Sequence, residues 1–411
     1  MSKSPKSLMW SAWGIVTFFY AYQYILRVMP SILMEDIVEK FSLTPAAFGQ
    51  FSGVYYLGYS LMHLPLGIII DRFGPKKILP ILIACTSLGL LPIIYADSFI
   101  YPVLGRALIG IGSSGAVLGL FKVLHLHFEP TKFSRFLSFS VTIGLCGAIY
   151  GGTPLMLARK SFGFQQVVFV LILVSLILSV VTYLVLPASE SKKTNPSEIF
   201  DKLKELFTNT KLLMLCCIAG FMVGPLEGFA DVWGVQFLKI FHGLSDNVAA
   251  GVPSWIFIGM GIGGPLLSFI AERGQRYIQV VFASACIMAA AFVLLLTFKL
   301  SAPVLCVLFF FVGVCSAYQM LMLYYVSTLV REPLRNLSSV VANMLIMIFG
   351  YVFHTSIGKF IGWISHTQNL DGFQDSASLA AGISIIPAAL LVSVVVLSVY
   401  LLRLKMNKPV A

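Results

Sequence analysis

The sequence GIIIDRFGPKK, residues Gly67–Lys77, joins two apolar runs of this 411-residue chain. The first run ends at Ile70 and the second begins at Ile78, so Asp71 lies at the carboxyl end of the first. A helix dipole disfavours a negative charge at that end, so Asp71 requires a positive neighbour. A similar acid–arginine pair, Glu272-Arg273, follows the corresponding apolar run 201 residues later.

A second pair of matching positions supports an internal repeat. Glu129-Pro130 precedes one apolar run, and Glu332-Pro333 precedes another 203 residues later. Two signals at nearly the same offset predict a duplicated unit of six spans, which is an architecture of membrane transporters.

Composition indicates that lipid is the solvent for most of the chain. Hydrophobic residues make up 58% of the sequence and charged residues 11%, against roughly 25% charged in soluble domains. A helix needs about 20 apolar residues to cross a bilayer. We therefore predict an all-α integral membrane protein with twelve transmembrane helices in two six-helix bundles. The predicted spans are Leu8–Met34, Ala47–Ile70, Ile78–Tyr95, Pro102–Leu124, Phe136–Leu157, Val167–Leu186, Leu212–Phe237, Val248–Ile270, Tyr277–Phe298, Pro303–Val330, Leu337–Ile364 and Leu379–Leu402.

The distribution of basic residues predicts the orientation. Of the 28 Lys and Arg residues, 20 lie on the side that includes both termini, 5 lie in the opposite loops and 3 lie inside spans. This bias places both termini in the cytoplasm, and we expect a multi-pass protein of a bacterial inner membrane. The basic clusters are too short to follow a nucleic-acid backbone, so nucleic acid is not an expected partner.

The longest polar stretch, residues 188–211, separates the predicted bundles at 1–187 and 212–411. Asn195 is a suitable helix cap, Pro196 suits the first helical position, and Glu198 suits a capping box. Apolar residues then recur at helical spacing from Ile199 to Phe207. We predict a short amphipathic helix at the cytoplasmic face.

Three motifs resemble the major facilitator superfamily. They are Gly67-x-x-x-Asp71-Arg72-x-Gly74-Pro75-Lys76-Lys77, in which Pro75 replaces the usual Arg, then Arg106-x-x-x-Gly110-x-Gly112 in helix four, and the glycines 144, 147, 151 and 152 with Pro154 in helix five. The resemblance implies two bundles around a central cavity that work by alternating access, without a cofactor. We expect a monomer that carries a small polar solute, with protons as the coupling ion.

The resemblance also implies a cytoplasmic gate, in which Asp71 meets an arginine from another loop. Arg135 is our candidate for that arginine. The alternative is a simple topology signal, in which Arg72, Lys76 and Lys77 only hold the loop inside. The predicted gate residues are Gly67, Asp71, Arg72, Gly74, Lys76, Arg135, Glu272 and Arg273.

Two arginines within the first bundle point to a solute pathway, because a charge at membrane depth is costly unless it is paired or solvated. Arg27 follows an aromatic and polar stretch and could bind a substrate carboxylate. Alternatively, it pairs with Glu35 or Asp36, or extends outward. Arg106 either takes part in proton coupling, as the resemblance implies, or binds a backbone carbonyl.

Helix seven carries Glu227 and Asp231 four residues apart, and therefore on one helical face. Gly220, Gly224 and Pro225 predict a bent or broken helix around them. Two acids in a low dielectric repel each other, so we expect one of them to hold a proton. Asp231 could instead be solvated at the outer surface.

Other polar residues in the spans complete the predicted substrate site, although single tyrosines in membrane helices often serve only packing. The predicted substrate-binding residues are Arg27, Tyr20, Gln23, Tyr24, Tyr55, Tyr59, Glu227, Tyr318, Gln319 and Asn343, and the proton-coupling candidates are Glu227, Asp231 and Arg106. Tyr56, His63, Tyr324 and His354 are further cavity candidates.

The leading function is proton-coupled uptake of an amino acid or similar zwitterion. Arg27 would hold the carboxylate, and Glu227 would carry the proton or meet the amine. Part of the sequence is similar to the intraphagosomal amino-acid and nucleoside transporters of intracellular proteobacteria. The similarity involves the run from Tyr22 to Ser31, residues Phe41–Thr44 and the tyrosines of helix two.

Rival functions remain open at this point. An organic-anion symporter is one, although that branch pairs its helix-one Arg with a preceding Asp where this chain has Leu26. An exporter of drugs or metabolites is another, and a receptor that binds without turnover is a third. The sequence has no catalytic set, nucleotide-binding loop or metal-ligand cluster, so we do not expect an enzyme.

Overall fold

A computed structural model describes residues 6–188 and 196–406. Twelve long helical segments follow one another in these residues, and we number them one to twelve in chain order. Their bounds are Lys6–Ile32, Pro45–Phe73, Pro75–Tyr95, Ile100–Leu126, Arg135–Phe162, Phe164–Val185, Thr210–Ile240, Asp246–Glu272, Tyr277–Thr297, Ala302–Thr328, Glu332–Gln368 and Ser376–Leu404. The last eleven are long and apolar enough to cross a membrane. The all-α, twelve-helix prediction is confirmed.

The loop between helices one and two contains a short helix that the sequence did not predict. It spans Met34–Phe41 and buries Met34 and Ile37. Two of its three acids are bound by helix five, since Arg159 contacts Glu35 (Nη2–Oε2, 3.1 Å) and Asp36 (Nε–Oδ2, 2.5 Å). This contact fixes the first interhelical loop to its own bundle.

The region between the bundles forms the predicted short helix. The helix spans Pro196–Thr208, and its Leu206 is fully buried. Arg331 binds it from the loop after helix ten, with Nε donating to Glu205 Oε1 at 3.0 Å and Nη2 contacting Oε2. The predicted cap residue Asn195 lies outside the described residues.

The chain divides into two compact units. The first comprises Met1–Leu43 and Gln50–Pro196, and the second comprises Thr44–Gly49 and Ser197–Ala411. The division near Pro196 falls inside the polar stretch at 188–211. Residues 44–49 were predicted to belong to the first bundle, but they group with the second unit. They lie against helix eleven, where a side chain at Gly49 would overlap the carbonyl oxygen of His354. Only glycine permits so close a backbone approach.

The same glycine contacts occur in both units, which gives the internal repeat a structural basis. In the first unit a Cβ at Gly110 would overlap the carbonyl oxygen of Tyr55, and in the second a Cβ at Gly313 would overlap that of Ile256. The glycines are 203 residues apart and their partners 201 apart, which are the offsets of the two sequence signals. Helices two and four therefore pack as helices eight and ten do, through small residues that let the backbones meet.

Candidate functional site

A proline in helix one creates a binding position for Arg106. Pro30 lies inside the helix and has no N–H, so the carbonyl of Leu26 loses its usual helical donor. Arg106 of helix four supplies the replacement. Its Nη1 donates to Leu26 O at 2.5 Å and its Nη2 to Arg27 O at 2.9 Å. Of the two roles considered for Arg106, the structure shows the contact with backbone carbonyls.

Arg27 directly follows Leu26, whose carbonyl is freed, and its guanidinium lies close to two tyrosine rings. Its Cζ lies 5.3 Å from the ring centroid of Tyr24 and 5.4 Å from that of Tyr56. Both contacts are of the cation–π type. The side chain is only 7% exposed, so it lies at a depth where a charge requires compensation. This arrangement fixes a cation in the first unit and restricts its rotation.

Three rings form a column along helix two, at intervals of four residues. Tyr55 stacks on Tyr59 with centroids 6.2 Å apart, and Tyr59 stacks on His63 with centroids 5.4 Å apart. The Tyr55 hydroxyl donates to Gln23 Oε1 of helix one at 2.9 Å. The guanidinium of Arg106 lies 4.7 Å from the Tyr55 centroid, so the column begins beside the proline of helix one.

Tyr20 lies one turn before Tyr24 on helix one. Its ring meets that of Tyr24 edge to face at 5.5 Å. The glycines of helix five permit this, because a Cβ at Gly144 would overlap the Tyr20 ring. The first unit thus brings together Tyr20, Gln23, Tyr24, Arg27, Tyr55, Tyr59 and Arg106.

Helix seven is interrupted by a π-helical segment at the predicted break. The segment spans Gly224–Trp233, between α-helical pieces at Thr210–Phe221 and Gly234–Ile240. Pro225 removes one helical donor, and a Cβ at Gly224 would crowd the Phe353 ring of helix eleven. π-helical turns are rare in proteins, and those that do occur are often found at functional sites.

Both acids of helix seven lie within the π-helical segment. Glu227 and Asp231 are completely buried, so the alternative of a solvated Asp231 is wrong. His354 of helix eleven is also completely buried and follows Phe353, the residue that packs on Gly224. The second unit therefore has two carboxyl groups and an imidazole in its interior.

The predicted residues of helices ten and eleven occupy different environments. The Tyr318 hydroxyl donates to Ala219 O of helix seven at 2.5 Å. This hydrogen bond joins helix ten to helix seven. Gln319 is buried with its Nε2 lacking a hydrogen-bond partner among the described residues. Asn343 is partly buried.

One detail of the predicted gate, after helix two, needs correction. Asp71 forms its ion pair with Lys122 of helix four, and the prediction that Arg135 fills this position is wrong. Lys122 projects from helix four towards Asp71, whereas Arg135 is exposed at the start of helix five. In the sequence, Lys122 lies two residues before the end of the predicted span Pro102–Leu124, and this position is the signal that could have indicated it.

Most of the other predicted gate residues lie at helix ends or directly beside them. Gly74 has φ of +81°, a conformation suited to glycine, and its N–H donates to Ile70 O at 2.9 Å. The Arg72 guanidinium lies 5.3 Å from the Phe73 centroid, and Lys76 Nζ lies 5.5 Å from the Tyr183 centroid. In the second unit, Glu272 is exposed, and Arg273 lies 4.1 Å from the Phe269 centroid.

Sequence comparison assigns the family. The profile of the Major Facilitator Superfamily matches residues 13–354. The chain belongs to this superfamily. A transporter of Bacillus subtilis named YybO is 24% identical over 298 residues, which cover 66% of this chain and 68% of the relative. An MFS-type efflux pump of Mycolicibacterium smegmatis is 24% identical over 316 residues, covering 73% of this chain and 72% of the pump.

A shorter similarity concerns an anion transporter. A protein of Cupriavidus necator named as a probable sulfoacetate transporter is 31% identical over 103 residues, which cover 25% of this chain and 24% of that protein. The similarity spans a quarter of the chain.

Solved structures confirm the major facilitator fold. A bacterial homologue of the human lysosomal transporter Spinster superposes with a TM-score of 0.74 at 17% identity and covers 96% of both chains. The nucleoside transporter NupG gives a TM-score of 0.73 at 15% identity, covering 94% of this chain and 98% of NupG. The chain is a multi-pass membrane protein of a transporter family.

Proposed function

We propose that this transporter takes up an amino acid or a similar small zwitterion together with protons. The observation that carries the proposal is the environment of Arg27, a buried cation that lies against the rings of Tyr24 and Tyr56. A guanidinium carries N–H donors in a fixed fork, which matches the two oxygens of a carboxylate.

The surroundings of Arg27 favour a fixed binding position. Arg106 binds the carbonyl of Arg27 itself, and Gln23 one turn earlier binds Tyr55 of helix two. Preorganised donors lose little freedom when a ligand arrives, so they favour binding. Arg27 is therefore the residue we assign to the carboxylate.

Glu227 is the residue we assign to the proton. It is buried in the π-helical segment with Asp231 four residues away, and ionisable residues at membrane depth are the usual sites of proton relays. Binding and release of one proton by such a group would couple transport to a proton gradient. The bias of the basic residues further supports loops that face the cytoplasm, in a bacterial inner membrane.

The proposal is tested with two variants in proteoliposomes. Arg27→Ala should abolish binding of carboxylate substrates at every pH, because it removes the donors. Glu227→Gln should retain binding and counterflow exchange but lose accumulation against a gradient, because glutamine cannot carry the proton. Binding, counterflow and pH-driven uptake are measured for a panel of amino acids.

Matched controls isolate the buried charges. Glu332→Gln and Arg403→Ala change residues at exposed helix ends, and both should transport like the wild type. Unchanged carboxylate affinity in Arg27→Ala would remove carboxylates from the substrate class. Wild-type accumulation by Glu227→Gln would remove Glu227 from proton coupling.

A second candidate is symport of an organic anion. Arg27 again supplies the carboxylate site, and the similarity to the probable sulfoacetate transporter of Cupriavidus necator favours it. The same assay distinguishes the two candidates. An anion transporter would bind acetate or sulfonate analogues that lack an amine, whereas a zwitterion transporter would reject them.

A further inference from the structure

The ring column of helix two has no counterpart in the second unit, although the two units share their helix packing. The glycine contacts align Tyr55 with Ile256, both of which have their carbonyls against a glycine. The same offset of 201 residues aligns Tyr59 with Met260 and His63 with Gly264. Because one unit forms this packing with apolar residues or glycine at these positions, packing does not require tyrosine and histidine in the other.

His63 is the least expected residue in the column. It is 3% exposed, and its Nδ1 has no hydrogen-bond partner among the described residues. A buried polar group without a hydrogen-bond partner destabilises the folded state. A Cβ at the equivalent Gly264 would meet nothing within 4 Å, so helix eight forms without any group there. A residue that is costly and structurally dispensable points to a ligand.

The column leads from the Arg27 site to His63. Tyr56, which lies against the guanidinium of Arg27, precedes His63 by seven residues on the same helix. At 1.5 Å per residue, the axial separation is about 10 Å.

We propose that His63 forms a second subsite of the substrate, which binds a hydrogen-bonding group at the far end of a carboxylate-bearing solute. The separation of about 10 Å along the helix selects solutes with an extended side chain. The inference rests on the proposed function, because it takes Arg27 as the carboxylate site. It adds the length of the substrate and the polarity of its far end.

The test uses two amino acids that differ in a single group. Norleucine and 6-hydroxynorleucine have the same carbon chain, and only the second has a hydroxyl at the far end. Affinities for the purified full-length protein are measured by isothermal titration and by thermal stabilisation. The wild type should prefer 6-hydroxynorleucine by roughly 2- to 10-fold, as one neutral hydrogen bond provides.

His63→Phe keeps a ring to stack on Tyr59 and removes both nitrogens. This variant should bind norleucine like the wild type and show no preference for the hydroxyl analogue. His63→Asn restores a hydrogen-bonding group and should recover part of the preference. The matched control is His125→Phe, which changes an exposed histidine of the same unit that contacts the Phe121 carbonyl, and it should retain the full preference.

The outcomes separate the inference from the proposed function. Equal affinity of the wild type for the two compounds, or a preference that persists in His63→Phe, would overturn the second subsite and leave Arg27 in place. Failure of the wild type to bind either compound would also overturn it. An equal loss of affinity for both compounds in His63→Phe would overturn it too, and would identify a structural role. Full affinity for both compounds in Arg27→Ala would instead contradict the proposed function.

Discussion

The guanidinium of Arg106 donates to the carbonyl oxygen of Leu26 at 2.5 Å, the position that a backbone N–H would occupy if residue 30 were not proline. The contact joins helix four to helix one directly before Arg27. The buried guanidinium of Arg106 is thus compensated by backbone oxygens and by the ring of Tyr55. Its hydrogen bond to the Arg27 carbonyl also holds the backbone of the residue that we assign to the substrate carboxylate. Arg106 is a positioning residue in this arrangement.

The first prediction is that Pro30 and Arg106 are energetically coupled. Arg106→Ala should destabilise the protein, because it leaves the buried Leu26 carbonyl unsatisfied at a cost of about 1–3 kcal/mol. Adding Pro30→Ala supplies a backbone N–H to that carbonyl, so Arg106→Ala should cost less in this background. Thermal melts of the two single variants and the double variant measure the coupling. Strictly additive effects would show that the two residues act separately.

The second prediction concerns the ion pair of Asp71 and Lys122. Asp71→Asn and Lys122→Met should each slow transport while leaving substrate binding largely intact, because the pair lies near the ends of helices two and four and not beside Arg27. The charge-reversed double variant, with Asp71→Lys and Lys122→Asp, should recover part of the rate. Transport and binding are measured for each variant in proteoliposomes.

Arg135→Ala is the control for that series. Arg135 is exposed at the start of helix five, and Asp71 is bound by Lys122 instead, so the loss of Arg135 should leave transport near the wild-type rate. Slow transport by Arg135→Ala together with a normal rate for Lys122→Met would instead identify Arg135 as the partner of Asp71 during transport.

The fold could be predicted from the sequence because its signals are local and repeated. Runs of about 20 apolar residues determine membrane helices wherever they occur, and the acid–arginine and Glu-Pro pairs marked the repeat without any structure. The break in helix seven followed equally from Gly224 and Pro225, whose backbone effects do not depend on distant residues.

The partners of individual charges could not be predicted in the same way. Asp71 pairs with Lys122 and Asp36 pairs with Arg159, and each pair joins residues that only helix packing brings together. The axial register of helices two and four decides which lysine lies beside Asp71. Backbone contacts at glycines such as Gly110 set that register. Glycine positions are visible in the sequence, but the residues that they meet are not.

The third prediction tests the orientation of the protein. Reporter fusions after Lys77, Lys193 and Lys408 should all report the cytoplasm, because most basic residues lie on that side. Lys193 and Lys408 lie outside the described residues, and the expectation for them rests on the sequence. Alkaline phosphatase and green fluorescent protein serve as complementary reporters. Phosphatase activity at Lys77 would contradict the orientation and the cytoplasmic gate with it.

The fourth prediction uses the repeated glycine contacts. Gly110→Ala and Gly313→Ala each add a methyl group that overlaps a backbone carbonyl, and backbone cannot move aside as a flexible side chain can. Both variants should lose folded yield and melt at a lower temperature, in line with about 1–3 kcal/mol for overpacking. Gly264→Ala is the control, since its Cβ would meet nothing within 4 Å. Equal melting temperatures for all three would show that these crossings are looser than described.

The fifth prediction concerns His242, in the loop between helices seven and eight. Burial lowers the pKa of its imidazole, and Nδ1 accepts a hydrogen bond from the N–H of Leu300 at 3.1 Å. A protonated Nδ1 cannot accept, so the folded state holds the neutral ring. The unfolded chain titrates near its usual value of about 6.5 and therefore binds more protons below that pH. Stability should consequently fall as the pH drops from about 7.5 to 5.5.

Melting temperatures across this pH range, measured for the wild type and two histidine variants, check the contribution of His242. His242→Gln does not titrate, so its melting temperature should fall less than that of the wild type as the pH drops. The control is His366→Gln, at an exposed position near the end of helix eleven, and it should keep the wild-type dependence. Identical pH dependence in the wild type and His242→Gln would exclude His242 as the source.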